Sequence, residues 1–258
     1  MKCYRCNAWP CTCKDGQTII HGDSRKLLPH LRGMLDPVDL VLTDPPYSSG
    51  GAMRSDRNLS TTVKYRMTGT LKSNADFSGD NRDQRSFMFW CADWLASCLQ
   101  QTRPGGALLC FIDWRNLPCL IDAVQIAGWV YRAIVPWDKT EMARPNKGWF
   151  KAQCEYIIGA THGPLAAGRP DSPGICQGGF VRWNTHGKNK QHITEKPVEV
   201  CRELLNTRED WTTVLDPFLG SGTALRACKE LGRRGVGIEI EEAYCEVAAN
   251  RLRQEVLF

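Results

Sequence analysis

Apolar residues along the chain come in short runs closed by turn residues, and the spacing within them alternates between a strand-like and a helix-like period. Thr18 to Ile20 reads as a short buried strand. His21-Gly22-Asp23 turns the chain, and Leu27, Leu28 and Leu31 then recur at helical spacing. Val38 to Leu42 is too short for a helix and rich in strand formers; it stops at Asp44-Pro45-Pro46-Tyr47, where two prolines remove backbone donors from any continuing ladder. A helix over Ser86 to Gln101 follows, then a strand over Ala107 to Asp113, a helix over Leu117 to Ala127, and strands over Val130 to Val135 and Glu155 to Ile158. Glu195 to Asn206 resumes helical spacing, with Pro197 suited to its first turn. Thr213 to Leu215, a turn of small residues, a helix over Ala224 to Leu231 and a strand over Gly235 to Ile240 close the chain as a βαβ unit. The alternation predicts an α/β fold, a Rossmann-like doubly wound mixed sheet of about seven strands with helices on both faces.

Two stretches break the rhythm. Residues 48–85 are polar and lack periodicity, and Gly163 to Lys190 carries several Gly and Pro residues, so both are read as long loops. There is no internal repeat. The chain divides into a cysteine-rich segment, residues 1–16, and one catalytic-sized domain, residues 17–258.

Composition narrows the function classes. A chain of 258 residues at 42% hydrophobic content can bury one sizeable core. Its 33 Lys and Arg against 28 Asp and Glu permit a polyanionic partner without requiring one. No apolar run approaches a bilayer span and no N-terminal apolar segment resembles a signal peptide, so an intracellular, cytoplasmic protein without membrane association is expected. Of thirteen cysteines, nine lie between Cys91 and Cys245 among apolar neighbours and read as reduced core residues.

Two strand ends carry candidate chemistry. In VLDPFLGSGTAL, Asp216 and three small residues stand where a strand hands over to a helix; glycines there let a ligand approach the backbone. Pro217 and Phe218 interrupt any dinucleotide fingerprint, which disfavours a nicotinamide cofactor. Glu239, ending the next strand, is placed to accept hydrogen bonds from ribose hydroxyls. The alternative is a plain turn plus a surface glutamate. At the other strand end, an exocyclic base amine is a poor nucleophile, because its lone pair is delocalised into the ring. The Asp44 carboxylate and Pro45 carbonyl can accept its two hydrogens and draw the nitrogen toward tetrahedral geometry, and Tyr47 offers a ring for an extruded base. A Pro-Pro turn with a helix-capping Asp is the competing interpretation.

DPPY, followed downstream by HITEKP, LDPFLGSGT and GIEI, resembles the β-class amino methyltransferases of DNA over roughly residues 17 to 255. The resemblance implies a permuted methyltransferase fold and S-adenosylmethionine as methyl donor, with DNA as partner, a homodimer allowed, and a bacterial or phage-like restriction-modification setting. It implies that Asp44, Pro45, Pro46 and Tyr47 form the catalytic motif, and that Asp216, Phe218, Gly220, Ser221, Gly222 and Thr223 surround the cofactor, with Glu239 on its ribose. Asp23 is similar to the acidic residue that meets the cofactor's adenine amine, and Thr194, Glu195, Lys196 and Pro197 to the segment beside its methionine end; His192 is equally a surface residue. Trp137-Asp138-Lys139 and Glu155-Tyr156 resemble late-strand motifs where an aromatic packs against the target base. In the family the acidic DPPY accompanies adenine N6 more often and SPPY or TPPY cytosine N4. This favours adenine, with cytosine N4 and an RNA base amine as alternatives.

The long target-recognition region often found in the family is short here, so DNA contacts are expected elsewhere: at Arg54, Arg57, Lys64 and Arg66 in the 48–85 loop, at Lys139, and at Arg182 and Lys188 in the 160–191 segment. A solvated loop is the alternative for the first group. Outside the resemblance, Cys3, Cys6, Cys11 and Cys13 supply four thiols within eleven residues, which suits a structural zinc knuckle; a reduced tail is the alternative.

Overall fold

The structure, a computed structural model, describes residues 1–48, 82–143, 145–165, 178–184 and 196–254. Along the chain run β1 (Gln17–His21), α1 (Ser24–Leu31), β2 (Val38–Thr43), α2 (Gln84–Gln101), β3 (Thr102–Ile112), α3 (Leu117–Ile126), β4 (Val130–Asp138) and β5 (Cys154–Thr161). They are followed by β6 (Val181–Arg182), α4 (Val198–Leu205), β7 (Thr213–Asp216), α5 (Thr223–Glu230), β8 (Arg234–Glu239) and α6 (Glu242–Arg253). The strands form one sheet in the order β1-β8-β7-β2-β3-β5-β4-β6. It is parallel from β1 to β3; β5 runs antiparallel between β3 and β4, and β6 pairs parallel with β4.

Strand alternation divides the core. Val41, Leu108 and Cys110 face one side, where they meet Leu28 and Leu31 of α1, Phe87, Cys91 and Trp94 of α2, and Leu120 of α3. Leu40, Leu42, Leu109 and Phe111 face the other, against Val200, Leu204 and Leu205 of α4 and Ala224, Ala227 and Cys228 of α5. Each fully buried Leu or Phe contributes roughly 1.5–3 kcal/mol, so both faces must be covered for the sheet to stand. Of the nine scattered cysteines, Cys91, Cys98, Cys110, Cys201, Cys228 and Cys245 are buried as expected for core residues, whereas Cys119 and Cys154 are only half-buried and Cys176 lies outside the described residues.

The two faces also locate the crevice. β2 passes through α2 to β3 on one side, while β7 passes through α5 to β8 in the opposite direction along the sheet. Right-handed crossovers that diverge require helices on opposite faces, and the chain leaves a gap where they part, between β2 and β7.

The structure adds to the expected elements. The sheet has eight strands; the eighth, β6, is two residues long inside a segment read as irregular, too short to show a period. β3 begins at Thr102, five residues before the expected Ala107, and takes in Pro104-Gly105-Gly106. A register shift between Val38 and Leu40 absorbs the irregular residues, so Thr102 pairs with Val38 and Ala107 with Leu40. α6, buried through Tyr244, Cys245, Ala248, Ala249 and Leu252, was not anticipated after the final strand. No helix among the described residues is long and apolar enough to cross a membrane.

Candidate active site

The described candidate residues of the two motif turns lie at one edge of the sheet, where β1, β8, β7, β2, β3 and β4 end and β5, running the other way, begins. β7 ends in Asp216, and the turn into α5 is held by Gly220 at φ +52° and Gly222 at φ +82°, left-handed values that favour glycine. Gly222 has a second reason to lack a side chain: an added Cβ would sit 2.9 Å from Ala248 Cβ on α6. Nothing lies within 4 Å of the same position on Gly220, so this side of the turn is open. Phe218 packs edge-on against Trp94, ring centroids 5.0 Å apart. Ser221 and Thr223 turn their hydroxyls to Arg251 Nη1, at 3.2 and 3.0 Å, and so tie the turn to α6.

Glu239, at the end of β8, accepts from the Gly220 amide through Oε2 at 2.7 Å and from the Glu241 amide through Oε1 at 2.8 Å. Both oxygens are fixed, and each keeps a lone pair for a hydroxyl donor. Burial raises its pKa despite these amides. Asp23 caps α1 through the Arg25 amide and is paired with the Arg25 guanidinium at 3.0 Å. A turn open at Gly220, beside a fixed carboxylate on the adjacent strand, fits a nucleoside with free ribose hydroxyls.

The two motif strands are joined directly: Thr43 Oγ1 donates to Asp216 Oδ1 at 2.8 Å across the crevice, and the Phe218 amide donates to the same oxygen at 3.1 Å. Burial pushes the Asp216 carboxyl up to about 7, against these hydrogen bonds. The native state therefore holds this proton where the unfolded chain has released it. The resulting stabilisation is complete below about pH 4 and lost as pH rises through about 7. Asp216→Asn retains an oxygen for both donors but does not titrate. Its unfolding free energy relative to the parent should rise between pH 4 and 7, by up to ~1.4 kcal/mol per pH unit. Urea unfolding at pH 5 and pH 8 checks this; an equal difference at both would refute it.

Asp44 stands one residue beyond β2. Its Oδ2 accepts from Lys196 Nζ at 2.7 Å, whereas Oδ1 is buried without a hydrogen-bond partner among the described residues. Lys196 also reaches Glu155 Oε2 at 3.3 Å, Lys139 reaches Glu155 Oε1 at 3.3 Å, and the Tyr47 hydroxyl donates to Glu155 Oε2 at 3.2 Å. Carboxylate and ammonium alternate from Asp44 through Lys196 and Glu155 to Lys139, a charge-balanced chain contributed by four separate segments. Burial opposes the charged forms of Asp44, Lys196 and Glu155, and pairing outweighs it for the last two. Glu155 falls below its ordinary range because Lys196 and Lys139 outweigh burial; Lys196 rises because Asp44 and Glu155 do so. For Asp44 burial prevails over Lys196 and the net direction is upward. Tyr47 is raised well above 10, first by burial and then by the two carboxylates, so it is a neutral donor.

The turn itself is pinned from β3. Asp113 accepts the Asn116 amide at 3.3 Å, and Asn116 Nδ2 donates to the Tyr47 carbonyl at 2.6 Å. The Lys196 ammonium lies over the Tyr47 ring, 4.9 Å from its centroid. Trp137 is 1% exposed and gives its indole N–H to the Trp183 carbonyl, so it backs the site and presents no face to a base.

The structure thus brings Asp44, Pro45, Pro46 and Tyr47 to the same edge as Asp216, the glycine turn and Glu239. Lys196, read as a cofactor-side residue, touches Asp44. Lys139, read as a DNA contact, is paired with Glu155 inside the site, and Arg182 is paired with Asp138 and Glu141. Arg54, Arg57, Lys64, Arg66, Lys188, His192 and Thr194 lie outside the described residues. The roles of Thr43 and Asn116 have no signature in the sequence, and Glu155, legible only as part of a late-strand motif, has its pairing with Lys196 and Lys139 decided by neighbouring segments.

Strand-end carboxylates around an open glycine turn, across a diverging crevice from a Pro-Pro turn, define a Rossmann-like methyltransferase. The chain matches the family described as DNA methylase, N6_N4_Mtase, over residues 38–164 and 179–250, and it belongs to this family of S-adenosylmethionine-dependent DNA amino methyltransferases. It is 25% identical over 259 residues to the type II methyltransferase M.HpaI of Haemophilus parainfluenzae, covering 93% of this chain and 75% of that protein. Its fold is similar to that of the M1.HpyAVI complex with S-adenosylmethionine, with a TM-score of 0.67 and 22% identity over 92% of this chain and 100% of that one. The cytosine-N4-specific PvuII DNA methyltransferase also has a TM-score of 0.67, at 14% identity over 94% of this chain and 88% of that one.

Proposed function

We propose that this protein methylates N6 of adenine in DNA, with S-adenosylmethionine as the donor. The observation that carries the reading is Asp44 Oδ1, a buried acceptor without a hydrogen-bond partner among the described residues, one position beyond β2 and next to Thr43, which is hydrogen-bonded to Asp216. A buried oxygen without a donor is costly, and a substrate N–H removes the cost. S-adenosylmethionine, when bound, supplies an electrophilic methyl group on a sulfonium centre. Asp44 Oδ1 and the Pro45 carbonyl accept the two hydrogens of the amine, which localises its lone pair; the face of Tyr47 opposite Lys196 receives the extruded ring. Once nitrogen carries the methyl, its surplus proton leaves to solvent. An acidic residue at the head of the motif favours adenine over cytosine, in keeping with the family's preference. Arg54, Arg57, Lys64 and Arg66, in the basic stretch that follows the Pro-Pro turn in the sequence, and Lys188 are proposed to meet phosphates. The test is transfer of tritiated methyl to DNA and to RNA, followed by nucleoside chromatography. Label in N6-methyladenine of DNA is expected; label in N4-methylcytosine, or in RNA alone, would overturn the assignment.

A further inference from the structure

We propose that Cys3, Cys6, Cys11 and Cys13 hold one structural zinc ion, which fastens the N-terminal segment over the edge of the sheet and behind the cofactor turn. The four Sγ atoms all lie within 4.8 Å of one another, and Cys6 and Cys11 are 3.7 Å apart. A tetrahedral Zn–S bond of ~2.3 Å requires ligand sulfurs ~3.8 Å apart, so the cluster is drawn to the dimensions of a single ion. An iron–sulfur cube would spread its cysteines farther. The local backbone turns tightly enough to bring the thiols together. Cys3 and Cys6 bracket a tight turn in which the Asn7 amide donates to the Cys3 carbonyl at 2.8 Å, and Asn7 takes φ +57°, a left-handed conformation that Asn tolerates. The Cys13 amide donates to Cys11 Sγ at 3.4 Å, the type of contact that supports a thiolate ligand.

The segment has a place to be fastened. β1 is an edge strand, and the Tyr4 amide donates to its Ile19 carbonyl at 2.7 Å, covering part of an otherwise open edge. Arg5 joins Asp15 at 2.7 Å and the Gln17 carbonyl at 3.0 Å. Tyr4 packs against the cluster of Ile19, Leu219, Cys245 and Ala248. Leu219 belongs to the cofactor turn and Ala248 contacts Gly222, so the knuckle supports that turn from behind. An apolar core of this size is beyond what sixteen residues can supply, and metal binding takes its place.

The test is elemental analysis of the full chain purified without added metal, followed by cobalt exchange. About one equivalent of zinc per chain is expected, together with the visible ligand-field and thiolate charge-transfer bands of tetrahedral cobalt after exchange. The Cys6→Ser/Cys13→Ser double variant should lose both the metal and the cobalt spectrum. Less than ~0.1 equivalent of zinc with no cobalt bands, or iron in place of zinc, would overturn the proposal. Because neither readout uses methyl transfer, the result is independent of the substrate assignment.

Discussion

Asp44→Ala is expected to lower kcat by about 10²–10⁴-fold while leaving the affinity for S-adenosylmethionine nearly unchanged. The proposed cofactor side of the crevice is built from β7 and β8: Asp216 is fixed by Thr43 and Phe218, and Glu239 by Gly220 and Glu241. None of these bonds involves Asp44, so its removal leaves that half standing. On the other side, Oδ1 of Asp44 is a buried acceptor without a partner among the described residues, and Ala offers nothing in its place. The loss should therefore appear in kcat at saturating DNA and donor, measured beside donor binding by calorimetry. A variant that keeps full turnover contradicts the role of Asp44, and one that also loses the donor contradicts the division of labour between the two strands.

Lys196→Met is expected to move the acid limb of the kcat–pH profile upward by ~1–3 units, because the ammonium 2.7 Å from Asp44 is the main opposition to burial. Without it, Asp44 and Glu155 remain as neighbouring carboxylates, Glu155 still paired with Lys139, and one proton becomes shared at higher pH. The direction is fixed by the sign of the interaction: a cation favours ionised Asp44, so its loss requires a higher pH to ionise the group. Removing one member of a buried ion pair also destabilises by about 3–5 kcal/mol, and the loss should be greater at pH 8, where both carboxylates are charged, than at pH 5. Lys196→Arg keeps the charge and should restore the position of the acid limb even where the rate is imperfectly recovered. A profile that does not move in the Met variant would show that Lys196 merely fills space beneath Tyr47.

Both predictions concern contacts between residues far apart in the chain, and this marks where sequence reading succeeds. Strand ends followed by DPPY or by a Gly-rich turn are local features: proline removes donors, glycine admits a positive φ, and short runs of Val, Ile and Leu demand burial on both faces. These rules act within a few residues, so the alternating fold, the two motif turns and the core role of six buried cysteines were legible from the chain alone. The four thiols at the N-terminus were legible too, because eleven residues suffice to hold all of them. Local patterning was blind to β6, too short to have a period, and to the early start of β3, where a register shift overrides the break suggested by Pro104, Gly105 and Gly106.

The tertiary structure decided which charges meet. Lys196 and Asp44 are separated by 152 positions, Tyr47 and Glu155 by 108, and Thr43 and Asp216 by 173. No propensity or spacing connects them, because their contact depends on the order in which β7, β2, β3, β5 and β4 assemble at a single edge. That order follows from two right-handed crossovers diverging at β2 and β7, a property of the whole sheet. Residue types set by the chain thus named the candidate chemistry, while burial and pairing at the strand ends set which carboxyl is held low by its cations, which are raised by burial, and which oxygen of Asp44 has no partner among the described residues.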